Sequence, residues 1–458
     1  MREAEKLKIM IVGTGYVGLT TGMALGYLGH NVTCVDKDTE IIDKLERGIS
    51  TIYEPGLEEL LQETGEKVNF TREIGANLPG TDIVIIAVGT PSKENGDTDL
   101  SYVEGVAREV GQALDPSDPP VVVNKSTVPI GTARRVETVI KEELEKRGLR
   151  CEFSVASNPE FLREGAALHD TFYPDRIVVG AEEVQAMNLL RQMYAPIIEQ
   201  TFTPPQAVPR PEGYQLPALV TTSPTSAELI KYTANAFLAM KISFINEVAG
   251  IADKVGADIT EVAKGIGLDK RIGPGFLKAG AGWGGSCFPK DVRSLLFTAS
   301  QYNCDLDLVQ AALDVNRRQK KKVIEKLQEA LKVVRGSTVG IFGLSFKPNT
   351  DDIRESPAID VIAELLDMGA RVKAYDPVAE ERYRKNFPGQ EVVYCSAAGE
   401  AARDCDAVLI LTDWDEFYHL PWEELGDSMK QKIIVDGRNM LNGSELKEKG
   451  FSYSGIGR

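Results

Sequence analysis

The sequence predicts an α/β protein with an N-terminal Rossmann domain, a central helical domain that contains a long helix, and a C-terminal Rossmann-like domain. Three observations support this fold class. A strand followed by a glycine-rich turn opens the chain, apolar residues recur at helical spacing from Ser226 to Val255, and a second strand–helix–strand series starts at Thr338. Strands that alternate with helices are typical of a parallel sheet covered on both faces.

The composition is that of an ordinary globular protein. The chain has 458 residues, of which 43% are hydrophobic and 26% are charged, and this length is sufficient for about three domains. Its formal net charge is −16. An acidic chain does not attract nucleic acid or an anionic membrane, so we expect neither as a partner.

The six cysteines and three histidines are scattered along the chain. They follow neither a metal-binding nor a disulfide spacing, so we expect no metal site. The opening residues MREAEKLKIM lack the apolar core of a signal peptide, and no apolar run reaches transmembrane length. We therefore expect a cytoplasmic protein, in which a working thiol stays reduced.

A dinucleotide-binding pattern follows the first predicted strand, Lys8 to Val12. Gly13-Thr14-Gly15-Tyr16-Val17-Gly18 comes next, a helical pattern continues to Leu28, and a second strand, Val32 to Val35, ends in Asp36. The first glycine permits a tight turn, the second lets the backbone approach a pyrophosphate, and the third packs helix against strand. Asp36 is placed to bind the adenosine ribose, and its charge disfavours a 2′-phosphate, so the pattern indicates NAD rather than NADP.

Three further predicted strands each run into a polar loop. The strands are at 83–88, 121–124 and 153–156, and the loops are Gly89-Thr90-Pro91, Lys125-Ser126-Thr127-Val128-Pro129 and Asn158-Pro159-Glu160-Phe161-Leu162. Ligands of open parallel sheets bind at the carboxyl ends of strands. We therefore expect cofactor and substrate to lie along these loops.

The middle of the chain combines an irregular segment with a long helix. Thr203 to Pro224 contains six prolines and little periodicity, which predicts a long surface loop. In the helix predicted from Ser226 to Val255, Lys231 and Asn235 are four residues apart and therefore share a face. The apolar faces of such a long helix would suit packing against a second copy of the chain.

The last third repeats the opening order without its glycine pattern. Its predicted elements are a strand at 338–342, a helix at 357–368, and strands at 372–375, 407–411 and 432–435. The second of these strands ends in Asp376, as the second strand of the chain ends in Asp36. We expect a nucleotide-type fold that has lost the dinucleotide loop. The last strand leads into the polar group Asp436-Gly437-Arg438-Asn439.

One cysteine follows a glycine-rich loop. Residues 276–291 read FLKAGAGWGGSCFPKD, in which Cys287 comes after glycines at 280, 282, 284 and 285. Bare glycine backbone can approach a ligand closely and offer its N–H groups to oxygen atoms. Cys287 is therefore predicted to attack a substrate, and Lys290 and Asp291 lie within one turn of it.

Eight motifs, in order along nearly the whole chain, resemble those of the UDP-glucose 6-dehydrogenases, which are nucleotide-sugar dehydrogenases. The motifs are GTGYVG, VGTP, KSTVP, NPEFLREG, ELIKYTANAF, GPGFLKAGAGWGGSCFPKD, GLSFKPNTDDIRES and DGRN. The resemblance implies an NAD-binding Rossmann domain at 1–215, a central helical dimerisation and catalytic domain at 216–325, and a UDP-sugar-binding Rossmann-like domain at 326–458. It also implies that a homodimer or higher oligomer oxidises UDP-glucose twice, with NAD, to UDP-glucuronate.

The chemistry of the residues fits this reaction. Hydride leaves the alcohol carbon for the nicotinamide, and either Lys231 or a water held by Lys231 and Asp291 can take the hydroxyl proton. The Cys287 thiolate can then add to the aldehyde as a thiohemiacetal, which loses a second hydride to become a thioester. Lys231 and Asn235 would stabilise the oxyanions formed on the way, and hydrolysis releases the acid.

The resemblance also implies roles in hydrolysis, cofactor binding and substrate binding for individual residues. Glu160, Thr127 and Asp291 would hold or activate the attacking water. The implied cofactor contacts are Gly13, Gly15, Tyr16, Val17, Gly18, Asp36, Thr90, Pro91, Thr127, Glu164 and Arg354. The implied UDP-sugar contacts are Glu160, Phe161, Leu162, Lys231, Asn235, Phe276, Leu277, Lys278, Gly280, Phe346, Lys347 and Arg438, with Arg271 reaching in from a neighbouring subunit. Lys278, Lys347 and Arg438 supply the local cations that a diphosphate needs on so acidic a chain.

Three alternatives remain open at this point. The same chemistry could act on GDP-mannose or UDP-N-acetylmannosamine. A catalytically silent nucleotide-sugar sensor would be favoured by loss of Cys287, Lys231 or Asp291, but all three are present. A one-step hydroxyacid dehydrogenase would use the helix lysine but would have no use for the cysteine loop or the second Rossmann-like half.

Overall fold

Two sheets organise the computed structural model of the protein, which describes residues 6–458. The chain divides into two units, Met1–Thr233 and Ala234–Arg458, and each unit is built on one of the sheets. This mixed α/β architecture confirms the predicted fold class. The finer division into three domains at 1–215, 216–325 and 326–458 stays a prediction.

The first unit is a sheet with helices on both faces. Its strands are β1 (Lys8–Val12), β2 (Asn31–Val35), β3 (Val68–Thr71), β4 (Ile83–Ile86), β5 (Val121–Asn124), β6 (Val155–Ser157), β7 (Arg176–Gly180) and β8 (Ala218–Thr222). Its helices are α1 (Tyr16–Tyr27), α2 (Thr39–Glu46), α3 (Leu57–Thr64), α4 (Ser101–Ala113), α5 (Thr132–Lys146), α6 (Ala167–Phe172) and α7 (Val184–Glu199). In the described part of this unit the strand order is β3-β2-β1-β4-β5-β6-β7-β8, and β6 and β7 pair antiparallel. The first six strands have the order of a dinucleotide-binding Rossmann sheet.

Core side chains lie on both faces of this sheet. Ile9 and Ile11 of β1 belong to one core cluster, whereas Met10 and Val12 belong to another. The residues of β4 alternate between the same two clusters. Because both faces are buried, the central strands are continuous apolar runs, which explains why the sequence identified them so readily.

The segment from Thr203 to Pro224 is not the irregular loop that the sequence predicted throughout its length. Residues Ala218–Thr222 form β8, which pairs parallel with β7 from Arg176↔Ala218 to Gly180↔Thr222. This strand lies at the edge of the sheet and is largely exposed, so it lacks the apolar alternation that reveals a strand. The preceding residues are held as well, since the Tyr214 hydroxyl donates to the Pro174 carbonyl at 2.7 Å.

The long predicted helix is present as α8 (Pro224–Val255), which has 32 residues. It begins at Pro224, before the predicted Ser226, because proline is tolerated in the first turn of a helix. Lys231 and Asn235 lie one turn apart on it. Lys231 belongs to the first unit, and Asn235 belongs to the second.

The second unit contains a smaller parallel sheet. Its strands are β9 (Thr338–Phe342), β10 (Arg371–Tyr375), β11 (Val392–Tyr394), β12 (Ala407–Ile410), β13 (Ile433–Asp436) and β14 (Ser452–Gly455). Besides most of α8, its helices are α9 (Ile259–Gly267), α10 (Phe288–Gln301), α11 (Asp307–Leu331), α12 (Pro357–Asp367), α13 (Glu380–Asn386), α14 (Ala398–Ala402), α15 (Asp415–Tyr418), α16 (Trp422–Ser428) and α17 (Gly443–Glu448). Over residues 234–458 the strand order is β11-β10-β9-β12-β13-β14. This repeats the order of the first six strands of the other unit and confirms the predicted C-terminal Rossmann-like fold.

The turn after the first strand is built alike in both sheets. Gly13 and Gly343 both have positive φ, at +101° and +98°, and each donates its N–H to the last residue of the adjacent second strand at 2.8 Å. The acid that ends that second strand accepts hydrogen bonds from the turn. Asp376 Oδ2 accepts from the backbone N–H groups of Leu344 and Ser345 at 2.7 and 3.0 Å. The second half therefore keeps the turn and the acid without the glycine pattern.

Two properties of residues 6–458 bear on the kind of protein this is. No helix among them is both long and apolar enough to cross a membrane. Those residues also contain no group of three or more His, Cys, Asp or Glu side chains arranged to hold a metal ion.

Candidate active site

The dinucleotide loop lies between β1 and α1, where Tyr16 and Val17 begin the helix. A Cβ at Gly13 would lie 2.5 Å from the carbonyl oxygen of Ala87, and one at Gly18 would lie 1.8 Å from the carbonyl oxygen of Gly13. A Cβ at Gly15 would meet nothing within 4 Å. Packing therefore requires the first and third glycines, whereas the second leaves room for a pyrophosphate at the start of a helix. The loop fits NAD.

The half-buried acid at the end of β2 is turned toward this loop. Asp36 Oδ2 accepts from the backbone N–H and the hydroxyl of Thr14, at 3.0 and 2.8 Å. Its Oδ1 accepts from the N–H of Asp38 at 3.1 Å. The carboxylate is thus fixed beside the turn, and its contact with a ribose stays a prediction.

The loops that follow β4 and β5 are joined by side chains. The Thr90 hydroxyl donates to the Thr127 carbonyl at 2.8 Å, and the Ser126 hydroxyl donates to the Val88 carbonyl at 2.7 Å. The structure therefore brings Thr90 and Thr127 together. Pro91 is exposed beside them, and Glu164 lies half-buried in the loop before α6; both remain predicted cofactor contacts.

A buried ion pair joins the loop after β6 to α8. Lys231 Nζ lies 2.9 Å from Glu160 Oε1, and the two residues are only 3% and 6% exposed. Glu160 Oε2 accepts the backbone N–H of Leu162 at 2.6 Å. Two residues that the sequence placed in the site, 71 positions apart, are therefore in direct contact.

Glu160 stays ionised although it is buried, because Lys231 and Lys125 stabilise its negative charge. Burial alone would raise the pKa of this carboxyl, but the Lys231 ammonium, the N–H of Leu162 and the charge of Lys125 outweigh that effect. The pKa of Glu160 consequently lies below its usual value, so the group is a carboxylate near neutral pH.

A second cation, Arg176, contacts the ring of Phe161, the residue that follows Glu160. The sequence analysis did not identify it. The guanidinium of Arg176 lies 3.8 Å from the centre of the Phe161 ring, and Lys231 Nζ lies 5.4 Å from it. Phe161 and Leu162 are both half-buried. Arg176 therefore fixes the ring predicted to line the substrate site. Its position at the start of β7 gave no motif by which it could be found.

A second buried acid, Glu228, was also missed. Its carboxylate accepts the backbone N–H groups of Gly131 and Ala133 at 2.7 and 2.9 Å, and the Ser157 hydroxyl at 3.2 Å. It thereby caps α5 from another helix, and burial raises its pKa. Since Glu228 stands three residues before Lys231, it anchors the turn of α8 that presents the lysine. That spacing was a readable signal.

In the second unit, Cys287 is the residue that immediately precedes α10. Its thiol is half-buried and lies 3.4 Å from the Ser286 hydroxyl. One turn later, Asp291 is completely buried. Asp291 Oδ2 accepts from the Asn235 amide at 2.6 Å, and its Oδ1 lies 2.8 Å from Lys290 Nζ. The structure thus brings together two predicted site residues of this unit, Asn235 and Asp291, with Cys287 at the start of the same helix.

The glycines before Cys287 each lie tightly against protein. Their predicted approach to a ligand stays a prediction. A Cβ at these glycines would lie 2.7 Å from Gly437 O for Gly280, 2.6 Å from Asn316 Oδ1 for Gly282, 2.2 Å from Glu355 O for Gly284, and 2.7 Å from the Phe346 ring for Gly285. These glycines therefore let the loop pack closely and fix the approach to the cysteine.

Polar side chains of neighbouring helices hold the same loop. The Gly280 N–H donates to Asn246 Oδ1 at 2.8 Å, and Gln319 donates to the Gly280 carbonyl at 2.9 Å. Asn316 bonds both the N–H and the carbonyl of Trp283, at 2.8 and 2.9 Å. The loop is consequently a rigid part of this unit rather than a flexible connection.

Three of the predicted cations of this unit form ion pairs with carboxylates. Lys278 pairs with Asp413 at 2.7 Å, Arg354 with Asp352 at 2.7 Å, and Arg271 with Asp269 at 2.6 Å. The Arg271 side chain is 89% exposed. The predicted contacts of these three side chains with cofactor and substrate stay predictions.

Arg438 is held differently, by backbone carbonyls. Its guanidinium donates to Leu411, Gly282 and Phe346 at 2.6, 3.0 and 3.0 Å. Burial lowers its pKa. The side chain therefore ties three loops together, whatever contact it makes with a substrate.

The remaining predicted substrate contacts of the second unit are Phe276, Leu277, Phe346 and Lys347. Phe276 has a positive φ of 63°, which is rare for an aromatic residue, and Leu277 is buried. Lys347 Nζ lies 5.6 Å from the centre of the Phe346 ring.

A Rossmann sheet whose first turn has room for a pyrophosphate, in a chain that also places a thiol at the start of a helix, is typical of an NAD-dependent dehydrogenase. Comparison with known proteins agrees with this class and identifies the family. Residues 7–198 match the NAD-binding domain of one family, residues 225–318 its central domain, and residues 340–443 its UDP-binding domain. The chain belongs to the UDP-glucose/GDP-mannose dehydrogenase family.

Individual relatives match over nearly the whole chain. A UDP-glucose 6-dehydrogenase of Rhizobium meliloti is 44% identical over 99% of this chain and 100% of that protein. One from Bacillus subtilis is 42% identical over 98% of this chain and 93% of that protein. Among solved structures, a UDP-glucose dehydrogenase of Pyrobaculum islandicum has a TM-score of 0.87 at 37% identity, covering 100% of this chain and 99% of that one. A UDP-D-ManNAc dehydrogenase of Pyrococcus horikoshii has a TM-score of 0.83 at 28% identity, covering 99% of each chain.

Replacing Glu228 by alanine is expected to destabilise the protein. The change leaves the buried N–H groups of Gly131 and Ala133 without their acceptor, at a cost of roughly 1–3 kcal/mol. Thermal unfolding measures it. The control is Glu137→Ala on the exposed side of α5, which removes only a surface ion pair with Lys141. Equal melting temperatures for the two variants would contradict the capping role.

Replacing Gly284 by alanine tests whether packing explains the glycines. Its Cβ would lie 2.2 Å from the Glu355 carbonyl oxygen, so we expect a loss of about 1–3 kcal/mol in stability. Gly265→Ala in α9 is the matched control, because a Cβ there meets nothing within 4 Å and alanine should stabilise the helix by up to about 1 kcal/mol. The two melting temperatures should move in opposite directions; a stabilised Gly284→Ala would rule the packing role out.

Proposed function

We propose that this enzyme oxidises UDP-glucose to UDP-glucuronate in two NAD-dependent steps, through a thioester on Cys287. The observation that carries the proposal is the placement of Cys287 at the start of α10, one turn before an Asp291 that Asn235 and Lys290 hold in a buried position. A helix N-terminus stabilises negative charge, so this position suits a thiolate nucleophile. A second oxidation at the same carbon is what a nucleophile of this kind makes possible.

The dinucleotide loop supports NAD as the acceptor of both hydrides. Gly15 leaves room for the pyrophosphate, and Asp36 is fixed beside the same turn, which supports our assignment of Asp36 to the adenosine ribose. NAD, when bound, accepts one hydride in each oxidation. Thr90, Pro91, Thr127, Glu164 and Arg354 complete the proposed set of cofactor contacts.

In the first oxidation the chain must remove the hydroxyl proton from C6 of the glucose. We assign that proton to Lys231, either directly or through a water held with Asp291; the burial of Lys231, at 3% exposed, supports this role because desolvation disfavours an ammonium. Asn235, one turn further along α8, donates from its amide and would stabilise the oxyanion together with Lys231.

In the second oxidation Cys287 retains the aldehyde. The thiolate adds to C6, the oxygen takes up a proton, and the resulting thiohemiacetal loses that proton and a second hydride to become a thioester. Water then attacks the thioester carbon, the C–S bond breaks, and the thiol and the sugar carboxylate are released. Glu160, as a carboxylate, is suited to accept a proton from that water with Thr127 and Asp291.

UDP-glucose is the substrate that the relatives favour. The chain is 44% identical to the Rhizobium meliloti UDP-glucose 6-dehydrogenase but 28% identical to the Pyrococcus horikoshii UDP-D-ManNAc dehydrogenase. We assign the sugar and diphosphate contacts to Phe161, Leu162 and Lys231, to the loop from Phe276 to Gly280, and to Phe346, Lys347 and Arg438. The presence of Cys287, Lys231 and Asp291 opposes a silent sensor.

We further propose a homodimer formed along α8. Phe237, Phe244 and Ile251 recur every seven residues and are 59%, 57% and 62% exposed, which is typical of a helix face covered by a partner. Lys241 donates to the carbonyls of Ile272 and Gly273, at 3.1 and 3.4 Å. It thereby holds the loop of Arg271 next to this face and supports a contribution of Arg271 to the neighbouring subunit's site.

The compartment we propose is the cytoplasm. The mechanism needs a reduced Cys287, and reducing compartments keep thiols in that state. In the described part of the chain no disulfide joins any of the cysteines.

The number of NADH molecules formed per UDP-glucose tests the reaction. With UDP-glucose limiting and NAD in excess, the wild type should form about two NADH per sugar nucleotide, one for each hydride transfer that the thioester route requires. Cys287→Ser should still bind NAD but should not complete the second oxidation. Cys304→Ser, at an exposed cysteine after α10, is the control and should behave as the wild type. One NADH per sugar from the wild type, or complete turnover by Cys287→Ser, would refute the thioester route.

The oligomeric state tests the α8 interface. Phe244→Asp places a charge in the proposed contact and should convert the dimer to a monomer in analytical ultracentrifugation, with Kd raised at least about 100-fold. Leu308→Asp, at a residue 71% exposed on α11, should leave the dimer intact. A wild-type monomer, or a dimer that resists Phe244→Asp, would refute this interface.

A further inference from the structure

Lys125 is a buried lysine for which the proposed mechanism has no use. It follows β5 directly and is 6% exposed. Its ammonium donates to Asn158 Oδ1 and to the Tyr194 hydroxyl, both at 3.2 Å. The Tyr194 hydroxyl also donates to Asn158 Oδ1, at 2.5 Å, and Asn158 donates to the Val178 carbonyl at 2.8 Å. Each of these partners is neutral.

The charge of Lys125 is therefore not compensated by a contact of its own. No carboxylate of residues 6–458 forms an ion pair with it within 4.0 Å. A buried ammonium that lacks a counter-charge is costly. Glu228, a buried acid of the first unit, accepts from Gly131, Ala133 and Ser157. Glu160 is also buried and stands two residues after the Asn158 to which Lys125 is bonded.

The carboxylate of Glu160 faces charged groups from two other elements. Lys231 reaches it from α8, and Lys125 acts on it from the end of β5; both lower the pKa of Glu160. Within its own loop, the N–H of Leu162 does the same. One buried carboxylate is therefore shared by two buried lysines, of which only Lys231 touches it.

This sharing matters because the reaction changes the charge of Lys231. A lysine that accepts a proton from the substrate must first be neutral, and in that state it no longer compensates Glu160. Burial would then favour protonation of Glu160, which would prevent it from accepting a proton from the hydrolytic water.

We propose that Lys125 is a positioning residue whose buried ammonium keeps Glu160 ionised while Lys231 loses and regains its proton. This role rests on the proposed function. We assign Lys125 no contact with substrate or cofactor; it acts on the carboxylate of Glu160 and through Asn158, which fixes the start of the same loop.

The dependence of kcat on pH, at saturating NAD and UDP-glucose, tests this role. Lys125→Met removes the charge, and Lys125→Gln removes it while its amide can still donate to Asn158 and Tyr194. In both variants the acidic limb of the profile should move to higher pH by about one unit, because an ionised Glu160 then loses one stabilising cation. Lys125→Arg keeps the charge, so its acidic limb should stay at the wild-type position.

Tyr194→Phe separates charge from structure. It removes a hydroxyl from the same buried network without changing the charge. Its stability and kcat can fall, but its acidic limb should not move. If Lys125→Met does not fold, Lys125→Gln and Lys125→Arg still give the comparison.

The outcomes distinguish this role from the proposed function. A wild type that forms no NADH from UDP-glucose refutes the function itself. A wild type that forms two NADH per sugar, together with neutral Lys125 variants whose acidic limb stays in place, refutes the role of Lys125 alone. A limb that moves equally in Tyr194→Phe would mean that the network, and not the charge, controls Glu160.

Discussion

The first unit depends on a buried ion pair, Glu160–Lys231, which holds opposite charges where water is excluded. A buried ion pair is expensive, since the desolvation of both groups competes with their attraction, and it persists only where further hydrogen bonds satisfy the remaining atoms. Glu160 and Lys231 meet this condition because each stands on a fixed element. The N–H of Leu162 satisfies the second oxygen of Glu160, and Glu228 anchors the turn of α8 that carries Lys231. The sheet brings these elements to one edge, and the buried charges hold them there.

The second unit holds Cys287, the proposed nucleophile, on a rigid loop. Glycines pack the loop before Cys287 against neighbouring backbone, and Asn246, Asn316 and Gln319 bond its polar groups. Arg438 adds a tie to the carbonyl of Gly282. A thiol on so rigid a loop loses little entropy when a substrate carbon arrives beside it.

Much of this fold could be read from the sequence because its strongest signals are local. The strands β1, β5 and β9 have the predicted bounds, since unbroken apolar runs identify a sheet that is buried on both faces. The edge strand β8 escaped because its side chains are mostly exposed. For the candidate site, the motifs pointed to residues such as Glu160 and Lys231, and the structure adds that these two are in contact. Glu228, Arg176 and the role of Lys125 were not found, because a supporting side chain is defined by what it touches rather than by a pattern around it.

The shared construction of the two first turns has a consequence for redesign of cofactor preference. In the second unit Asp376 bonds the turn after β9 although no glycine pattern is there. The bonds that Asp36 accepts from Thr14 are therefore part of how this kind of sheet closes its first turn, before any nucleotide arrives. A substitution of Asp36 that is meant to admit a 2′-phosphate therefore also removes the hydrogen-bond acceptor of Thr14. Such a redesign should supply a second acceptor for the Thr14 N–H, so that the loop keeps its shape.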